Sequence, residues 1–119
     1  MRLWIDDIRP APEGYIWVKS VNEAKDVIER EINHRKYCYS IMPSLFEKHL
    51  FNSIPTFKED VIDIDHDAGM FVDNGGDYIK LLDWLEEKQY YFPIHIHSQN
   101  IVGVENMRRI IKRNGWKEV

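Results

Sequence analysis

The stretch Val61-Ile62-Asp63-Ile64-Asp65-His66-Asp67-Ala68-Gly69 carries the reading of the fold. A short apolar run stops at a cluster of acids followed by a glycine. Such a run, bounded by turn formers, reads as a buried strand. A loop through Asn74-Gly75-Gly76 then leads to a helix. Asp77 is expected at the start of that helix, where a carboxylate suits the positive end of the dipole. Tyr78, Leu81, Leu82 and Leu85 form the apolar stripe.

The same grammar extends in both directions. Upstream, Leu3-Trp4-Ile5 stops at Asp6-Asp7, and Pro10, Pro12 and Gly14 punctuate a loop. Tyr15-Ile16-Trp17-Val18 is rich in β-formers and suits a second strand. Ser20 and Glu23 make a capping-box pattern before Ala24, Val27, Ile28 and Ile32, so a helix is expected from about Val21 to about Arg35. Downstream, Pro93 opens a strand over Ile94-His95-Ile96-His97-Ser98. Val104, Met107, Ile110 and Ile111 give a last amphipathic helix ended by Asn114-Gly115, and Trp116 to Val119 suit a short final strand.

Residues 37–60 break the pattern and read as an irregular insertion. Tyr37 to Ser40 suit a strand, Leu45, Phe46, Leu50 and Phe51 suit one face of a short helix, and Pro43 and Pro55 interrupt any longer element. Strands alternating with helices imply a parallel sheet with right-handed crossovers. The expectation is a single α/β domain over residues 1–119.

Composition narrows the function. At 119 residues with 44% apolar content, the chain supports one buried core. A net charge of −4 gives no footprint for long nucleic acid, and leaves room for a nucleotide or short RNA end held by local contacts. Cys38 is the only cysteine, so no intramolecular disulfide forms. No apolar stretch suits a signal peptide or a membrane span, and a cytoplasmic setting is expected.

In a parallel sheet, ligands bind outside the carboxyl ends of the strands. Three segments deliver polar residues there: Asp6-Asp7, Asp65-His66-Asp67 and Ser98-Gln99-Asn100. Gathered carboxylates repel one another unless a cation or a proton offsets them. Asp6, Asp7 and Asp65 therefore point to a hard divalent cation, Mg²⁺ or Mn²⁺. The plainer reading of each acid is a turn cap. His66 beside Asp67 pairs an imidazole with a carboxylate that orients it, a pattern suited to acid–base work.

His97 lies nearer the strand end than His95 and is the better catalytic candidate, whereas His95 reads as a core histidine. Two histidines with acids also suit Zn²⁺, but the acids outnumber them and no cysteine cluster exists. Asp63 lies further inside its strand and is left outside the site. Arg9, Ser98 and Asn100, with backbone N–H groups near Gly103, suit a phosphate. Asn100 equally suits a helix N-cap, and Arg9 an ordinary loop position. Arg108, Arg109, Lys112 and Arg113 read as a solvated helix face.

These residues resemble two families. Asp6-Asp7, Asp65 and Ser98 are similar to the acid pair, the phospho-acceptor aspartate and the Ser/Thr of response-regulator receiver domains. The receiver's lysine after strand five has only Lys117 as a counterpart. The closer resemblance is to the cyclic-phosphate processing receiver-like family. It rests on Leu3-Trp4-Ile5-Asp6-Asp7-Ile8-Arg9-Pro10-Ala11-Pro12-Glu13-Gly14, on Ile64-Asp65-His66-Asp67, and on Ile94-His95-Ile96-His97-Ser98 with Asn100 and Gly103. That resemblance implies a receiver- or flavodoxin-like fold, a doubly wound parallel sheet in order 2-1-3-4-5 with a short or incomplete last strand, and a role with cyclic phosphate ends or cyclic nucleotides, as in RNA repair.

Three functions are compatible with this reading. The first is metal-assisted, hydrolase-type opening of a cyclic phosphate. The second is a phospho-acceptor signalling module built on Asp65. The third is a non-catalytic binder of a nucleotide, or of a protein partner through the 37–60 insertion.

Overall fold

The computed structural model describes residues 1–42, 47–48 and 55–119. Strands β1 (Arg2–Ile5), β2 (Ile16–Val18), β5 (Val61–Ile64) and β6 (Ile94–Ile96) form a four-stranded sheet in the order β2-β1-β5-β6. Every pairing in that sheet is parallel. Strands β3 (Glu47–Lys48) and β4 (Pro55–Thr56) make a separate antiparallel pair. Helices α1 (Val21–Ile41), α2 (Ile79–Lys88) and α3 (Ile101–Arg113) complete the described elements. The sheet order is the receiver-type order expected. Its last strand is reduced to a parallel bridge between Ile94 and Glu118, beside β6.

Alternation along the strands divides the sheet into two faces. Leu3, Ile5, Ile62, Ile64 and Ile94 join one buried cluster with Val21, Ala24, Ile28 and Ile32 of α1, Leu81, Leu82 and Leu85 of α2, and Met107, Ile110 and Ile111 of α3. The three helices therefore pack on one face, whereas a doubly wound sheet is covered on both. The β1–β2 connection, residues 6–15, holds no helix. The opposite face carries a row set by register, with Trp4 paired to Trp17 on one side and to Asp63 on the other, and Asp63 paired to His95.

Helix α1 starts where expected. The Ser20 hydroxyl accepts from the Glu23 N–H at 3.1 Å, and the Glu23 carboxylate accepts from the Lys19 N–H at 3.0 Å. It ends later than expected. Tyr37 to Ser40 continue the helix to Ile41 and are not a strand. Neither proline nor glycine interrupts the helix before Pro43, and residues preceding proline disfavour the helical region. Met42 accordingly leaves it, at φ −135° and ψ 71°. The helix expected over Leu45, Phe46, Leu50 and Phe51 lies outside the described residues.

The inner face of α1 ends on Arg35, a charge only 1% exposed. Its guanidinium donates to both carboxylate oxygens of Asp60, at 2.6 and 2.8 Å, and to Glu31 at 2.8 Å. Asp60 also accepts from the Phe57 N–H and from the α-amino group of Met1. The pair ties α1 to the residue that precedes β5. No helix among the described residues is long and apolar enough to cross a membrane.

Candidate functional site

Register builds the site. Ile5, Ile64 and Ile96 lie side by side across β1, β5 and β6. The next residue of each strand is Asp6, Asp65 and His97, so all three emerge level at the carboxyl edge. The ladder continues through their backbones. Asp6 N–H donates to the Val18 carbonyl at 3.2 Å, Asp65 N–H to Ile5 at 2.9 Å, and His97 N–H to Ile64 at 3.0 Å. One donor atom from each side chain lies within 4.8 Å of the other two.

Asp6 is buried beneath this edge. Its Oδ1 accepts from the N–H groups of Ile8 and Arg9 at 2.9 and 2.8 Å, and its Oδ2 lies 3.0 Å from Nε2 of His97. Burial favours protonation of Asp6. The two backbone donors and the imidazole outweigh it and hold the carboxyl below its usual range. Arg9, half exposed, spans the acids, with Nε 3.3 Å from Asp6 Oδ2 and a terminal nitrogen 3.7 Å from Asp65 Oδ2. Asp65 Oδ1 accepts from the His66 N–H at 2.8 Å.

Asp7 stands beside this group, against Gly69. A Cβ on Gly69 would collide with the Asp7 carboxylate, and its φ of +56° is one that glycine adopts freely. Burial pushes the Asp7 carboxyl up, and the charges of Asp6 and Asp65 push it further. Tyr78, buried behind the acids, donates its hydroxyl to the Lys19 carbonyl at 2.8 Å. Burial and then the same acids hold that phenol protonated far above neutrality.

His97 is held on three sides. Its Nδ1 lies 2.5 Å from Asp63 Oδ1, its Nε2 faces Asp6, and the Trp4 ring stacks on it with centroids 3.8 Å apart and planes 5° from parallel. Burial lowers the basicity of the ring, but Asp63 and Asp6 raise it above the ordinary histidine value.

A second cluster adjoins the first. His66 Nδ1 lies 2.8 Å from Asp67 Oδ1, and the Asn100 amide nitrogen is 3.3 Å from the same oxygen. Asn100 is also the N-cap of α3, its Oδ1 accepting from the Gly103 N–H at 2.9 Å. The Ser98 hydroxyl accepts from the Asn100 N–H at 3.2 Å. Asp77 precedes α2 without capping it and instead accepts from the Ala68 N–H.

The structure thus joins Asp6, Asp65, His97 and Arg9 in one group and His66, Asp67 and Asn100 in the next. Asp7 lies beside the first, and Ser98 meets the second through its bond to the Asn100 N–H. Lys117 lies elsewhere. Its carbonyl accepts from Ile94 N–H, at the amino end of β6, away from the acids. Asp63, Trp4 and Trp17 are the contacts that sequence reasoning missed. Trp4 and Trp17 donate from their indoles to the Arg9 and Asp6 carbonyls, each at 2.8 Å, and so brace the first acid loop. Strand alternation put Asp63 on one face with Asp65, and His95 on one face with His97. Only the register brings those two faces together.

A parallel sheet in receiver order, with acids and an imidazole at its carboxyl edge, defines a receiver-like α/β domain. Residues 1–113 match the family described as the cyclic-phosphate processing receiver domain, and the chain belongs to that family. No curated protein and no solved structure matches the chain.

Proposed function

We propose that this domain hydrolyses a cyclic phosphodiester, on a small nucleotide or an RNA end, with a divalent cation held by Asp6, Asp65 and His97. The level emergence of these three side chains from adjacent strands carries the proposal. Two carboxylates and an imidazole suit Mn²⁺, and Mg²⁺ with additional oxygens. Asp7, whose carboxyl feels the charges of Asp6 and Asp65, would add one. A cation there supplies charge stabilisation to the phosphate oxygens.

The chain's own groups would supply the rest. Arg9, half exposed over Asp6 and Asp65, would bind a phosphate oxygen with its guanidinium. His66, oriented by Asp67 and Asn100, would move a proton. In the reaction one P–O bond forms to water and one ring P–O bond breaks. The proton lost by the water goes to the departing alkoxide, and the product is a phosphomonoester. A receiver-type phospho-acceptor role for Asp65 is less well supported, since Lys117 lies at the opposite end of β6.

The test is turnover of 2′,3′-cyclic nucleotides with Mn²⁺ or Mg²⁺, followed by separation of the monoester product. Cation-dependent product, lost in Asp65→Asn, is expected. Thermal stabilisation by the nucleotide with no product would convert the reading to a binder. An aspartyl adduct on Asp65 after treatment with a small phosphodonor would convert it to a signalling module.

A further inference from the structure

Asp63 occupies the middle of β5, a central strand, and is 7% exposed. A carboxylate in such a place is costly unless its charge is matched. Its side-chain partner is His97, 34 residues away in the chain. The register explains the meeting. Asp63 pairs with His95, and His97 lies two residues further along the same face.

Trp4 pairs with Asp63 on the other side and lays its indole flat on the imidazole. The indole is itself fixed by its bond to the Arg9 carbonyl and by the edge-on ring of Tyr15. The imidazole plane is thus set by Trp4 and its rotation by Asp63. Nε2 is left facing Asp6, 3.0 Å from Oδ2.

The two nitrogens of a histidine are chemically distinct, and the bond made by one decides what the other can do. We propose that Asp63 is the positioning residue of His97: it commits Nδ1–H to itself and so reserves Nε2 for the Asp6–Asp65 edge. The consequence for cation binding rests on the reading of the site proposed above. The commitment of Nδ1 does not, and it is measurable without metal or substrate.

The first measurement is proton NMR of the metal-free protein. An Nδ1–H bonded to a carboxylate at this distance gives a resonance far downfield of the amide region, and nitrogen correlation assigns it. It is expected on Nδ1 of His97 in the wild type and absent from Asp63→Ala and His97→Gln. Its absence from the wild type, or its assignment to Nε2, overturns the proposal, whatever the folding of either variant.

The second measurement is a cycle of Mn²⁺ affinities by calorimetry for the wild type, Asp63→Ala, His97→Gln and the double variant. Asp63→Ala is expected to weaken Mn²⁺ by about 10–100-fold, the usual scale for losing a group that orients a ligand. The same change in the His97→Gln background should have no effect. Asp63→Asn, whose amide oxygen can still accept from Nδ1–H, should recover part of the loss. Equal weakening in both backgrounds marks a merely structural role and overturns the proposal. If the wild type shows the Nδ1 resonance but binds no Mn²⁺, the cation reading fails and the positioning of His97 stands.

Discussion

Arg35 and Asp60 show what a single buried charge does in this chain. A charged residue in a helix reads as a surface residue, so nothing in the sequence singles out Arg35. It is nonetheless buried, because its helical phase places it beside Ile28 and Ile32 rather than among their solvent-facing neighbours. Replacing it with methionine leaves Asp60 buried without its principal partner. Arg35→Met should cost about 3–5 kcal/mol, read as a lower urea midpoint.

The pH dependence of this pair has a definite sign. Burial favours the protonated form of Asp60, but Arg35, the Met1 amine and the Phe57 N–H outweigh it and lower the folded value below the ordinary one. A group with a lowered folded pKa contributes stability above its unfolded value, near 3.9, and loses it as pH falls through the folded value. Asp60→Asn should therefore be less stable than the wild type at neutral pH, with the gap closing in acid. Urea unfolding from pH 7 to below pH 4 measures it. At the site, Asp6, Asp65 and His97 were legible because each ends or follows an apolar run. Asp63 and Trp4 were not, because their roles depend on register between strands far apart in sequence.

At the scale of elements, caps were the most legible features. Ser20 sits at the N-cap expected of it, Asn100 takes the N-cap that was one of its two readings, and each accepts from the N–H three residues on. Ser20→Ala should cost about 1 kcal/mol in thermal or urea unfolding. Helix α1 runs past Arg35 because no breaker precedes Pro43, although Tyr37 and Tyr39 are β-formers.

The first turn of α3 holds a more specific prediction. A Cβ on Gly103 would run into the His66 ring. Alanine favours helix over glycine by roughly 1 kcal/mol, so Gly103→Ala should still fold. The helix should displace His66 from Asp67 and Asn100. Side-chain NMR of His66 should show the altered environment, and turnover should fall if His66 moves the proton. An unchanged His66 spectrum would contradict the packing of α3 against it.

At the scale of the whole molecule, the alternation of strands and helices was enough to expect a parallel sheet and the edge at which a site forms, and the receiver resemblance supplied the strand order. Parallel pairing then does the assembly. Strands that end in register present their next residues together, which is why carboxylates 59 positions apart in number, Asp6 and Asp65, meet beside His97. The one-sided packing of the helices was not legible. It follows from the helix-free β1–β2 loop, which proline and glycine mark as a loop without saying what covers the sheet.

The central claim is that these strand ends form one cation and phosphate site. A crystal grown with Mn²⁺ and inorganic phosphate tests it through anomalous scattering at the manganese edge. The account predicts one Mn²⁺ peak bonded to Asp6, Asp65 and Nε2 of His97, with phosphate between the ion and Arg9. A map with Mn²⁺ bound elsewhere, or with none there and the Asp6–His97 contact unchanged, would contradict it.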